Sequence, residues 1–262
     1  MSTFSLAARD SGTMLRRNLL HARRYPSLTL NLLLMPIVLL LLFVYVFGDV
    51  MSAGIGGGAD RSAYIAYLVP GILLMTIGST PAGTAVSVSM DMTEGITARF
   101  RTMAIHRGAV LIGHVVGSVL QSVLSVVLVG AVAVAIGFRS TDATPVEWLA
   151  AFGLLVLVAT AFTWIAVGMG MASPNAEAAS NNALPMVVLP LISSAFVPVD
   201  AMPGWFRPFA EYQPFTPAIE TLRGLLLGSG IGDNGWLAVL WCVALAVLGY
   251  WWSTSLFGRE PK

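Results

Sequence analysis

The sequence predicts an all-α polytopic membrane protein with six transmembrane helices, an amphipathic interfacial helix at the N-terminus and a re-entrant segment between helices five and six. Three observations predict it: a scarcity of charge, the lengths of the apolar runs and the uneven placement of arginine. Of 262 residues only 10% are charged while 56% are hydrophobic, and the mean hydropathy is +0.81. A soluble domain carries roughly 25% charged residues to cover its surface. This chain has too few for that, so the bilayer is its natural solvent.

The same composition excludes several functions. A net charge of +1 offers no basic patch for nucleic acid. Cys242 is the sole cysteine, which rules out a disulfide framework and a cysteine-based metal site. His21, His106 and His114 share no ligand spacing, so neither a metal nor another cofactor is expected. Lys262 is the only lysine and stands at the very end, so no glycine-rich loop can place a lysine on nucleotide phosphates.

A helix crossing about 30 Å of hydrocarbon needs around 20 mostly apolar residues. Five runs meet or approach this length: 28–47, 64–85, 109–138, 148–172 and 236–257. A sixth, 183–199, is shorter and carries Pro185, Pro190 and Pro198. The first run follows five arginines, but it is too long for a signal-peptide core and reads as a retained span. The chain thus divides into a cytoplasmic amphipathic segment (1–27), a six-helix transmembrane domain (28–258) and a short tail (259–262). With both termini cytoplasmic, ten of the 14 basic residues fall inside and eight of the 13 acids outside. The reverse topology would invert that balance, so N-in, C-in fits best.

Within residues 3–25, Phe4, Ala8, Leu15, Leu19 and Ala22 fall on one helical face. Arg9, Arg16 and Arg23 fall on another, with Arg17 and Arg24 beside them. Such a helix rests on the acyl boundary with its arginines on anionic lipid headgroups. A plain positive-inside anchor is the simpler alternative. The inside loop 91–107 is long and charged, with Asp91 and Glu94 preceding Arg99, Arg101 and Arg107. That order suits a short helix with acids first and cations last, and its length suggests contact with a partner. The next inside loop, 173–182, carries a single charge, Glu177.

Between the last two runs, 202–228 is semi-apolar and broken by Pro203, Pro208, Pro214 and Pro217, with Glu211, Glu220 and Arg223 among them. Residues 217–227 read as a short helix with proline at its start and Gly228 as its stop, and Glu220 can pair with Arg223. Irregular backbone at membrane depth needs a protein or water cover. The segment reads as an outer lid or gate dipping against its own bundle; an extracellular loop is the other reading. In the third run His114 and Gln121 share a face with Ser118 and Ser125, above the small pair Gly113 and Gly117. Packing between helices accounts for such a face; a substrate path is the sharper alternative.

Asp91-Met-Thr-Glu-Gly95 followed by Arg99-Phe-Arg101 resembles the cytoplasmic motif of type-2 ATP-binding-cassette exporter permeases. Phe196-Val-Pro198, Met202-Pro203, Pro214-Phe-Thr-Pro217 and Arg223-Gly-Leu-Leu resemble the stretch before that family's last helix. The branch typified by the daunorubicin/doxorubicin resistance permease is the most similar. Many relatives place proline two residues after the second arginine, where this chain has Met103. The resemblance implies an exporter subunit of the plasma membrane, itself no enzyme. It implies that 91–107 docks as a coupling helix on a dimeric ATP-binding ATPase subunit, with a second contact through 174–182 and its Glu177. It also implies pairing with a second permease chain, as a homo- or heterodimer. Nearly charge-free spans suit a lipophilic or amphipathic cargo: drug, polyketide or lipid. A secondary transporter would place acids near the midplane, and none lies there. A membrane-embedded enzyme would need clustered His, Asp or Glu, and no such cluster occurs; a non-transporting scaffold stays open.

Overall fold

The structure is a computed structural model that describes residues 26–48, 61–93, 107–140 and 142–257, with side chains from 34 onward in the first stretch and from 111 in the third. The N-terminal amphipathic segment up to residue 25, loop residues 94–106 and the tail from 258 lie outside the described residues. What is described is helical. The α-helices are α1 (Pro26–Tyr45), α2 (Arg61–Thr93), α3 (Arg107–Ala135), α4 (Pro145–Ala172), α5 (Ala176–Asn182), α6 (Leu184–Val188), α7 (Arg207–Tyr212), α8 (Phe215–Leu227) and α9 (Asn234–Phe257). Two 3₁₀ turns, Leu189–Ile192 and Val199–Ala201, join them, and no strand occurs among the described residues.

Four helices are long and apolar enough to cross a membrane: α2, Leu111–Ala135 of α3, α4 and α9. The apolar part of α1 with described side chains, Leu34–Tyr45, is shorter. These five helices coincide with five of the expected runs. α2 is the axis of the bundle: 78% of its apolar window is buried, against 17% for α9. α1, α3, α4, α5, α6 and α8 all pack on α2, and α9 lies outside on α4 and α8. Leu68, Ile72, Leu74, Met75, Ile77, Phe215, Ile219 and Leu222 form the fully buried centre.

Local chemistry sets the helix ends. Thr144 caps α4 in a reciprocal box: its hydroxyl accepts from the Glu147 N–H, and the Glu147 carboxylate accepts from the Thr144 N–H at 2.6 Å. Asn175 caps α5 by accepting from the Ala178 N–H at 2.8 Å. α8 stops at Gly228, whose φ of 65° is the left-handed conformation that glycine adopts at least cost. Pro217 marks the expected start of this helix in the sequence; the helix begins two residues earlier, at Phe215.

The run 183–199 is not one rod. It folds as α6, then a 3₁₀ turn, then turns through 196. Pro190 has no N–H to give and its ring crowds the carbonyl four residues back, so α6 cannot pass it. The carbonyls set free find side chains. Ser193 Oγ donates to Pro190 O at 2.5 Å, and Gln213 Nε2 donates to Leu189 O at 3.4 Å. The stretch lies directly on α2. A β-carbon at Gly71 would come within 2.6 Å of Ala195 Cα, and one at Gly78 within 2.7 Å of Met186 O. Only glycine permits so close a backbone approach.

α8 begins partway down the bundle. Phe215 stacks on Phe162 near the middle of α4, with centroids 4.6 Å apart, and lies over Gly78 near the middle of α2. Its far end meets the α3–α4 connection, where Ser140 Oγ donates to Leu226 O and Gly228 abuts Asp142. α7 runs beside it with Phe209 and Tyr212 exposed and Ala210 buried. Trp241 of α9 donates its indole N–H to Tyr212 O at 2.9 Å.

Candidate functional site

The sequence-predicted site residues fall at two ends of the bundle. At one end stand the last turn of α2, the start of α3 and the α4–α5 turn. Asp91 belongs to α2 itself, which continues to Thr93; the expected loop is shorter by that turn. Glu94, Gly95, Arg99 and Arg101 lie outside the described residues, and Arg107 opens α3 with its side chain outside them. Glu177 is exposed in the first turn of α5, a helix where the sequence suggested only a loop. α5 packs on α2 and α4 through its buried Ala179.

Asp91 and His114, placed in two different roles by sequence, meet here. His114 Nε2 and Asp91 Oδ2 lie 3.1 Å apart, with the side chains only 8% and 14% exposed. The pair, His114 buried and Asp91 half-buried, ties α2 to α3 next to the last described turn of α2. One turn deeper, Thr84 Oγ1 donates to Ser118 Oγ at 2.8 Å, and Ser118 lies 3.2 Å from Thr163 Oγ1 of α4. Thr163 in turn donates to Ala159 O. A polar chain therefore links α2, α3 and α4. Gln121 is half-buried, and Ser125 is buried. Hydrogen bonds between helices in a membrane contribute on average about 0.6 kcal/mol each. Ser118→Ala, which removes two of them, is expected to cost about 1 kcal/mol in a thermal unfolding measurement on the purified protein.

The opposite end is organised around Arg223. It is buried on α8, at 9% exposure. Its Nε and Nη2 donate to Tyr67 O at 3.2 and 3.1 Å, Nη2 also donates to Ser194 O at 2.9 Å, and Nη1 bonds Glu220 Oε1 at 2.5 Å. The guanidinium sits 3.8 Å from the centroid of the Tyr67 ring, and the Tyr67 hydroxyl donates to the same Ser194 carbonyl at 2.9 Å. One break supplies an acceptor: Ser194 lies past Pro190, where no helix bonds its carbonyl. Tyr67 O lies within α2, and its carbonyl, with two lone pairs, takes the guanidinium as a further donor. A planar fork with five donors fits such divergent acceptors as no ammonium would.

The Glu220–Arg223 pairing was readable from spacing; Tyr67 and Ser194 were not. The other predicted gate residues spread out. Pro217 is buried in the first turn of α8, Pro214 precedes it, and Pro198 leads into the second 3₁₀ turn. Pro203 and Glu211 are exposed, in a region that also exposes Trp205 (83%) and Tyr212 (60%) and pairs Asp200 with Arg207 at the surface. No cluster of three or more His, Cys, Asp or Glu that could hold a metal occurs among the described residues.

Comparison with known proteins places this arrangement. Residues 10–227 match the ABC-2 type transporter family. A daunorubicin resistance ABC transporter permease protein of Streptomyces coeruleorubidus is 28% identical over 227 residues, spanning 85% of this chain and 77% of the relative. A probable doxorubicin resistance ABC transporter permease protein of Mycobacterium tuberculosis is 24% identical, over 82% of this chain and 79% of its own. Nodulation protein J of Rhizobium meliloti is 26% identical, over 83% and 82% respectively. With the match covering most of its length and its helices long and apolar enough to span a bilayer, the chain belongs to the ABC-2 type transporter family, as a membrane transport permease.

Proposed function

We propose that this chain is the permease subunit of an ATP-driven exporter and that a separate ATPase supplies its energy. The family match over residues 10–227 carries the reading. The lack of any lysine before Lys262 supports a separate energy source, since a nucleotide-binding glycine-rich loop needs one. The 91–107 stretch docks on the ATPase with Glu94, Gly95, Arg99, Arg101 and Arg107 at the contact, and Glu177 on α5 adds a second. α5 packing on α2 and α4 supports this, because it sets Glu177 at the same end as Asp91.

Six segments cross the membrane, with both termini cytoplasmic, and the fifth crossing is the broken stretch after α5. Two close approaches support it: Gly170 faces Ala85 low on α2, and Ala195 faces Gly71 high on it. The intervening chain therefore climbs about 21 Å of helix rise, most of a hydrocarbon core. α7 and α8 form the re-entrant outer gate, a reading supported by the mid-bundle position of Phe215. Two permease chains pair around the path. The cargo is lipophilic or amphipathic; relatives named for daunorubicin and doxorubicin resistance and nearly charge-free spans support that class.

Glu94→Ala or Gly95→Pro, in membranes holding the chain with its ATPase subunit, is expected to abolish ATP-driven efflux while leaving insertion intact. Wild-type efflux from both variants would reject the assignment.

A further inference from the structure

We propose that the Asp91–His114 pair is the mechanical joint of the permease, passing displacement of the ATPase-docked loop into α3 and the polar core. This rests on the exporter reading above. Asp91 sits two residues from the last described residue of α2, and His114 is buried on α3. The pair spans the two helices on either side of the 94–106 stretch at 3.1 Å, so a displacement of that stretch cannot move one helix end without the other. The burial of His114 stiffens the joint, because separating the partners would leave its imidazole without a partner away from water. Beyond the joint the hydroxyl chain Thr84–Ser118–Thr163 continues into α4 at 2.8 and 3.2 Å. From α4 the connection runs to the Arg223 end, since Phe162, next to Thr163, stacks on Phe215 at the root of α8. Joint, hydroxyl chain and the Phe162–Phe215 stack thus stand in succession along α2, α3 and α4 between the two ends. Asp91 accordingly acts inside the permease as a positioning residue, at the base of the stretch read as docking on the ATPase.

The test uses the full permease with its ATPase subunit in lipid vesicles. Cys242 is replaced by Ala and a solvatochromic fluorophore is attached at Trp205→Cys, an exposed site at the Arg223 end. Adding ATP should shift its emission in the parent complex. His114→Ala should reduce that shift at least several-fold while the ATPase subunit still co-purifies. His114→Gln, whose side-chain amide can donate from near the same place, should keep most of it. So should the exchange Asp91→His with His114→Asp, even where the single changes fail to accumulate. An undiminished shift in His114→Ala, or a Gln variant and an exchange no better than Ala, would overturn the joint. A parent complex whose label ignores ATP, or which retains no ATPase subunit, would instead reject the exporter reading beneath it.

Discussion

Replacing Arg223 with alanine is expected to lower the thermal midpoint of the purified permease by roughly 10 °C, the consequence of losing about 3 kcal/mol. The cost is large because one side chain satisfies acceptors on three segments: Tyr67 on α2, Ser194 in the broken stretch and Glu220 on its own helix. The Ser194 carbonyl retains the Tyr67 hydroxyl, but the Tyr67 carbonyl loses both guanidinium donors. Glu220 suffers less, since its side chain is 32% exposed and water can replace the lost partner. Arg223→Lys should therefore recover only part of the loss: an ammonium can pair with Glu220 or reach one carbonyl, but it lacks the fork that serves all three at once. Tyr67→Phe removes one hydrogen bond and keeps the ring beneath the guanidinium, so about 1 kcal/mol is expected there. Fluorescence-detected unfolding in detergent reads all three. A melting point for Arg223→Ala within about 2 °C of the wild type would mean that these contacts do not hold the end of the bundle together.

That pattern shows where sequence reading succeeded and where it ran out. Local spacing exposed the Glu220–Arg223 pair, the length of uninterrupted apolar runs located five helices, and proline and glycine punctuation located α8, because these depend on neighbours close in sequence. The acceptors on Tyr67 and Ser194 lie 156 and 29 residues away from Arg223. Nothing in a linear pattern connects an arginine to a backbone carbonyl, a group that every residue carries. Asp91 and His114, 23 residues apart, were each singled out and still assigned to separate tasks. Their meeting follows from the antiparallel packing of α2 and α3, which composition alone does not align. The prolines of 183–199 signalled an interrupted run. The manner of its repair, with Ser193, Gln213 and Arg223 serving the freed carbonyls, is a property of the assembled bundle.

The glycines of α2 give the second large effect. Gly71→Ala is expected to destabilise by about 1–3 kcal/mol, and Gly71→Leu to prevent accumulation of folded protein. A β-carbon at position 71 would lie 2.6 Å from Ala195 Cα, 2.7 Å from its Cβ and 2.8 Å from its carbonyl oxygen. Two of those three atoms are backbone, so no rotamer change relieves the collision; the 193–196 turn itself must retreat. Its retreat carries the Ser194 carbonyl away from Arg223 and Tyr67, so the steric cost and the loss of hydrogen bonds arrive together. Ala195→Gly, added to Gly71→Ala, removes one of the three contacts and should return only part of the stability. Gly83 on the same helix supplies the control, because a β-carbon there meets nothing within 4 Å. Gly83→Ala should be neutral, or stabilising by up to about 1 kcal/mol through helix propensity. Opposite signs at two glycines of one helix separate packing against the broken stretch from any general dislike of change in α2. Equal, small shifts at both would show that the turn carrying Ser194 does not press on α2 at Gly71, and the support that this contact lends to a crossing beside α2 would go with it.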